Sequence, residues 1–174
     1  GLFVPTKIPA LSVSFDELEK MSYQQIAKLV IGSFFSDFTD EEIDYCVDNA
    51  YDEKFEVPEI AKITKAGGSS FLELYHGKTA AFKDMALSIL PYLMTTSMKK
   101  LGVDKKVCIL TATSGDTGKA ALEGFADVEN TEIIVFYPKD GVSEVQRRQM
   151  VTQEGKNVHV YAIEGNFDDA QTGV

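Results

Sequence analysis

The residues best suited to chemistry lie between Phe71 and Asp84, in the stretch FLELYHGKTAAFKD. A short run with strand character, Phe71 to Tyr75, leads into a turn at His76-Gly77. Ala80 and Ala81 follow, then Phe82-Lys83-Asp84, then a long helical pattern. That order puts Lys83 near the start of a helix, where unpaired amide N–H groups carry partial positive charge. Ala80, Ala81 and Phe82 are expected to strip water from the amine. Both effects disfavour a protonated lysine and lower its pKa. A neutral amine is what a carbonyl cofactor needs to form a Schiff base. The alternative is a solvated surface lysine whose stem packs along the helix.

A second candidate is the turn Thr113-Ser114-Gly115-Asp116-Thr117-Gly118. Two glycines and small polar residues between a strand and a helix leave several N–H groups beside a helix N-terminus, which suits an anion. Ordinary turn chemistry explains the same composition. The spacing is not the G-x-G-x-x-G of a dinucleotide site. Gly77-Lys78-Thr79 is not a P-loop either, because Leu72 stands where that loop needs its first glycine.

The elements that position these residues are readable in order. Residues 1–20 contain Pro5 and Pro9 and read as an extended arm. Ser22/Gln25 and Thr39/Glu42 are capping-box pairs that open two amphipathic helices. Their apolar faces are Ile26, Leu29, Val30 and Phe34, then Ile43, Val47, Ala50 and Tyr51. Pro58 and Gly67-Gly68-Ser69-Ser70 mark a transition. Asp84 to Lys100 reads as one helix, kinked at Pro91. Val107–Ala112, Thr131–Tyr137 and Asn157–Ile163 read as buried strands. Helices from about Thr117 to Ala126, and from Ser143 to about Glu154, the latter opened by a capping box of Ser143 and Gln146, alternate with them. This alternation predicts an α/β fold, a parallel sheet with flanking helices and right-handed crossovers, with ligands at the turn after the first strand. Arg147 and Arg148 are adjacent, so at least one is expected to be solvated, and His159 reads as a structural histidine.

Net charge is −10, which argues against nucleic-acid and anionic-membrane partners but not against a small anionic ligand. No apolar run approaches the ~20 residues of a membrane span. Cys46 and Cys108 lack metal-ligand spacing and read as buried thiols of a cytoplasmic protein, and no metal site is expected.

Several stretches are specific enough to resemble one family. HGKTAAFKD, TSGDTG, GVSEVQRRQM, GNFDD and the opening GLFVP together resemble threonine synthases, which use pyridoxal 5′-phosphate (PLP) and are fold-type-II enzymes. Lys78 stands where that family usually has proline. The resemblance covers essentially the whole chain. It implies a tryptophan synthase β-like fold, partial here, with Lys83 as the Schiff-base lysine. It implies that Ser114, Gly115, Asp116 and Thr117 face the cofactor and receive the substrate carboxylate. The implied reaction converts O-phosphohomoserine and water to L-threonine and phosphate. A related PLP phospho-lyase, which would yield a keto acid, and an inactive truncated relative are the alternatives. The organisation expected is an arm and helical region over 1–57, the lysine strand-turn-helix over 58–100, and a small α/β domain over 101–174. The family's cofactor-phosphate and substrate-phosphate segments are expected beyond Val174, so this internal piece is expected to bind PLP weakly by itself.

Overall fold

The computed structural model describes residues 3–174. Gly1 and Leu2 of the GLFVP motif lie outside the described residues. The arm is extended except for a short helix, α1 (Phe15–Leu18), closed by a capping box between Ser14 and Glu17. Helices α2 (Tyr23–Phe34) and α3 (Asp40–Ala50) open at the expected boxes, Ser22/Gln25 and Thr39/Glu42. Ile43, Cys46, Val47 and Ala50 turn inward and form a core with Tyr51, Phe55, Ile60 and Ile89.

Gly67 and Gly68 do not mark a boundary. They turn a β-hairpin between β1 (Lys62–Ala66) and β2 (Ser69–Glu73). Their φ values, +56° and +80°, suit a tight two-residue turn that side chains resist. The strand therefore ends at Glu73, two residues earlier than the apolar run suggests.

Pro91 does more than kink the next helix. The chain forms α4 (Asp84–Leu87), breaks at Ser88-Ile89, and restarts as α5 (Leu90–Lys100) with proline in its first turn. Proline is tolerated there because first-turn N–H groups have no intrahelical acceptor. The break lets one segment serve two cores. Met85, Ile89, Tyr92 and Leu93 pack on the helical layer, whereas Leu87 and Met94 pack on the α/β layer. The Tyr51 hydroxyl ties the first core to α4 by donating to the Met85 carbonyl at 2.7 Å. Burial pushes that phenol's pKa up, so it stays a neutral donor.

The α/β layer is a parallel sheet in the order β3 (Val107–Ala112), β4 (Thr131–Pro138), β5 (Val158–Ile163). Helix α6 (Asp116–Phe125) follows β3, α7 (Glu144–Val151) follows β4, and α8 (Phe167–Gly173) follows β5. One face buries Ile133, Val135 and Tyr137 against Leu122 and Phe125 of α6 and Met150 of α7. The other face is covered only in part, by α8 against β3 and β4. Cys108 points to that second face and is exposed, contrary to the expected buried thiol, while Cys46 is buried. His159 is paired with Glu132 at 2.9 Å on the same face. Arg147 and Arg148 both reach Glu144, and the more exposed of the two is Arg148.

Helices α4 and α6 pack closely enough to require a missing side chain. A Cβ on Gly124 would run into the Leu87 carbonyl oxygen. Gly124→Ala is expected to cost about 1–2 kcal/mol by forcing the helices apart, despite alanine's better helix propensity. Urea unfolding checks this; an unchanged or raised midpoint would mean that the contact yields freely.

Candidate functional site

The segment before Lys83 is held from inside by Asp84. That carboxylate is buried, and it accepts from the Thr79 N–H at 2.8 Å and from the Thr79 hydroxyl at 2.6 Å. Gly77 makes room: a Cβ there would lie 2.5 Å from Asp84 Oδ2 and 2.7 Å from its Cβ. Ala80 takes a left-handed φ of +55°, and its N–H donates to the Gly77 carbonyl. Residues 77–84 thus close on themselves and deliver Lys83 to the position before α4.

Lys83 is where the spacing predicts, at the start of a helix, but its surroundings differ. Phe82 is 57% exposed and Ala80 is exposed as well, whereas Ala81 and Lys83 itself are half-buried. Asp84 and Thr79 occupy the inner side of the loop, which leaves their neighbours on the outside. Lys83 Nζ lies 4.7 Å over the Phe82 ring. Among the described residues it has no carboxylate partner.

At the entry to the loop His76 is buried, and its Nε2 sits 2.7 Å from Glu73 Oε2. Thr64 of β1 donates to the other Glu73 oxygen at 2.9 Å. The His76 contact first, and then the Thr64 hydroxyl, hold the Glu73 carboxyl below the usual range. A depressed carboxyl stabilises the fold above its unfolded pKa of about 4.3, and that contribution is lost as pH falls through the folded value. Thermal midpoints of the parent and Glu73→Gln should therefore differ at neutral pH and converge in acid. A constant gap from pH 7 to 3 would count against the His76 and Thr64 contacts as the cause.

The glycine turn is built around Thr113, which is almost fully buried at the end of β3. Its Oγ1 accepts from the Gly115 N–H at 3.0 Å and the Gly118 N–H at 2.9 Å. Two of the amides offered by the turn are therefore already used. Those of Ser114, Asp116 and Thr117 have no acceptor among the described residues. Gly115 adopts φ +147° and Gly118 lies against the Thr113 side chain, so neither position accommodates a larger residue without movement. Asp116 Oδ1 accepts from Gln146 Nε2 at 2.9 Å. The sequence places Thr113 at the start of this turn but does not show that its hydroxyl organises it. Gln146 is visible in the sequence as a cap partner of Ser143 and within GVSEVQRRQM, and neither points to Asp116.

The structure brings Lys83 and Ser114–Thr117 onto two packed helices, α4 and α6. It does not join the amine to the turn: the turn's side-chain hydrogen bonds go to Thr113 and Gln146. A cleft of about 570 Å³ lies elsewhere, at the N-terminal edge of the sheet, and is lined by Tyr45, Tyr92, Met98 and Asn130. A smaller one of about 190 Å³ runs between Asp84, Ser88, Ala120 and Gly124, beside the α4–α6 contact. No described helix is long and apolar enough to cross a membrane.

Comparison with known proteins places these motifs together. The family model described as "Threonine synthase N terminus" matches residues 1–51. The chain is 39% identical to a threonine synthase from Pseudomonas aeruginosa, over 98% of this chain and 36% of that one. The PLP-bound threonine synthase from Brucella melitensis superposes with a TM-score of 0.85 at 34% identity, covering 99% of this chain and 37% of the other. The yeast threonine synthase superposes with a TM-score of 0.88 at 28% identity, covering 99% and 36%. The chain therefore spans about a third of the length of the relatives it matches. With both sequence and fold collinear over nearly all of its residues, the chain belongs to the threonine synthase family.

Proposed function

We propose that the whole protein converts O-phosphohomoserine and water to L-threonine and phosphate, with Lys83 as the residue that holds PLP. The observation that carries this reading is an amine without a counter-ion among the described residues, at the start of α4. That helix packs on α6, whose first residues carry N–H groups without acceptors among the described residues. An amine committed to a carboxylate could not condense with a carbonyl; this one is uncommitted, so the residues present fit the cofactor. The PLP-bound relative supports the same cofactor here.

When bound, PLP supplies an electron sink for the substrate's α-carbon. Lys83 Nζ would hold the cofactor through its carbonyl carbon, and, when freed from it, would carry protons at the substrate's Cα and Cβ. Ser114, Gly115, Asp116 and Thr117 form the turn that orients the substrate by its α-carboxylate and faces the cofactor. In the net exchange the Cγ–O bond to phosphate breaks, Cβ gives up a proton and takes the hydroxyl of water, Cγ gains a proton, and the other proton of the water leaves with the phosphate.

Two measurements test the reading. Incubation with PLP followed by borohydride, then peptide mapping, should fix one label at Lys83; a label spread over surface lysines would overturn the assignment. Product analysis of the whole enzyme should find threonine and phosphate in equal amounts. A keto acid with phosphate would instead identify a phospho-lyase.

A further inference from the structure

Gln146 of α7 rests on the glycine turn. Its Oε1 accepts from the Ser143 N–H at 3.2 Å and the Ser143 hydroxyl at 3.1 Å, while its Nε2 donates to Asp116 Oδ1 at 2.9 Å. A Cβ on Gly115 would lie 2.5 Å from Gln146 Cδ and 2.8 Å from its Oε1, so the amide covers the turn directly. Glutamate would serve the cap at this third helical position as well as glutamine does. Only glutamine also has a donor for Asp116.

Asp116 poses a problem that this donor solves. A carboxylate in the first turn of α6 sits beside the N–H groups that a ligand carboxylate would use, and it repels that ligand. We propose that Gln146 is a positioning residue. By donating to Asp116 it draws that carboxylate toward α7 and offsets part of its charge, leaving the amides of Ser114, Asp116 and Thr117 available to a carboxylate-bearing substrate. This rests on the reading of the turn as the α-carboxylate site.

The test is a charge exchange across the pair, read by amide NMR of the whole protein with acetate as the probe carboxylate. In the parent, acetate should shift the Ser114, Asp116 and Thr117 amide signals. Gln146→Glu keeps the cap but sets two carboxylates against each other. Acetate should then bind about tenfold more weakly, equivalent to about 1.4 kcal/mol. Combining it with Asp116→Asn restores one donor and one acceptor with the roles reversed, and affinity should return to within about twofold of the parent. Unchanged amide signals in β4 would report an intact fold. If Gln146→Glu binds acetate like the parent, or weakens binding equally in the Asp116→Asn background, the positioning role is overturned while the carboxylate site stands. If no variant, parent included, shifts those amides, the carboxylate site falls and this inference with it.

Discussion

Replacing Lys83 with alanine is expected to remove the borohydride-fixed label and to lower threonine formation by the whole enzyme by at least ~10³-fold. One amine is asked to do two tasks, covalent attachment and proton transfer. Proton transfer alone is typically worth about 10²–10⁴-fold. Lys83→Arg should be as inactive, because a guanidinium keeps the charge but never becomes a neutral nucleophile. That comparison separates nucleophilic chemistry from a mere need for positive charge. A small primary amine added to Lys83→Ala should recover part of the rate by carrying protons at the vacated place. Lys78 supplies the control. It lies five residues earlier, is about half exposed and faces Glu123 at 3.8 Å. Lys78→Ala should label and turn over like the parent. Should Lys83→Ala keep a stoichiometric label, at Lys78 or elsewhere, the assignment of the cofactor lysine fails.

How far this site was legible in the sequence follows from how local each determinant is. The capping boxes at Ser22, Thr39 and Ser143 close within four residues, and all three appear where the sequence puts them. The alternation of β3, α6, β4, α7 and β5 follows from apolar runs and loop lengths, which are also local. Lys83 at a helix start depends only on the residues beside it. The misreadings concern packing partners. Gly67-Gly68 reads in the sequence as a transition and not as a hairpin turn, because β1 reveals itself only by pairing with β2. Cys108 sits in an apolar run, yet its burial depends on what covers the second face of the sheet, and α8 covers only part of it. The exposure of Ala80 and Phe82 was hidden for a similar reason. Ala80 and Phe82 are apolar, but Asp84 and Thr79 take the inner side of the loop. Gln146 and Asp116 are 30 residues apart, and nothing in either neighbourhood announces their contact.

The inner side of that loop carries the second large expectation. Asp84→Ala should cost about 3 kcal/mol, because it strands the Thr79 N–H and hydroxyl without their shared buried acceptor. Asp84→Asn keeps the shape and one acceptor oxygen, and the Thr79 hydroxyl can turn to accept from the new amide. Its cost should be near 1 kcal/mol. Equal losses in the two variants would mean that charge, rather than hydrogen bonding, holds the loop. Gly77 provides an independent check, since the nearest atoms that a Cβ there meets are those of Asp84, its Cβ among them at 2.7 Å. Gly77→Ala should therefore destabilise the parent, lose only part of its cost once Asp84 is alanine, which keeps that Cβ, and lose most of it once Asp84 is glycine, a coupling that double-mutant cycles read directly. Additive losses would show that Gly77 matters for its backbone and not for the space it leaves. The loop ends at Lys83, so the same cycle bears on the site. A loop released from Asp84 should lose the selectivity of the PLP label for Lys83 over other lysines before it loses the fold, because α4 and α5 remain anchored by Met85, Leu87, Ile89 and Met94 in the two cores.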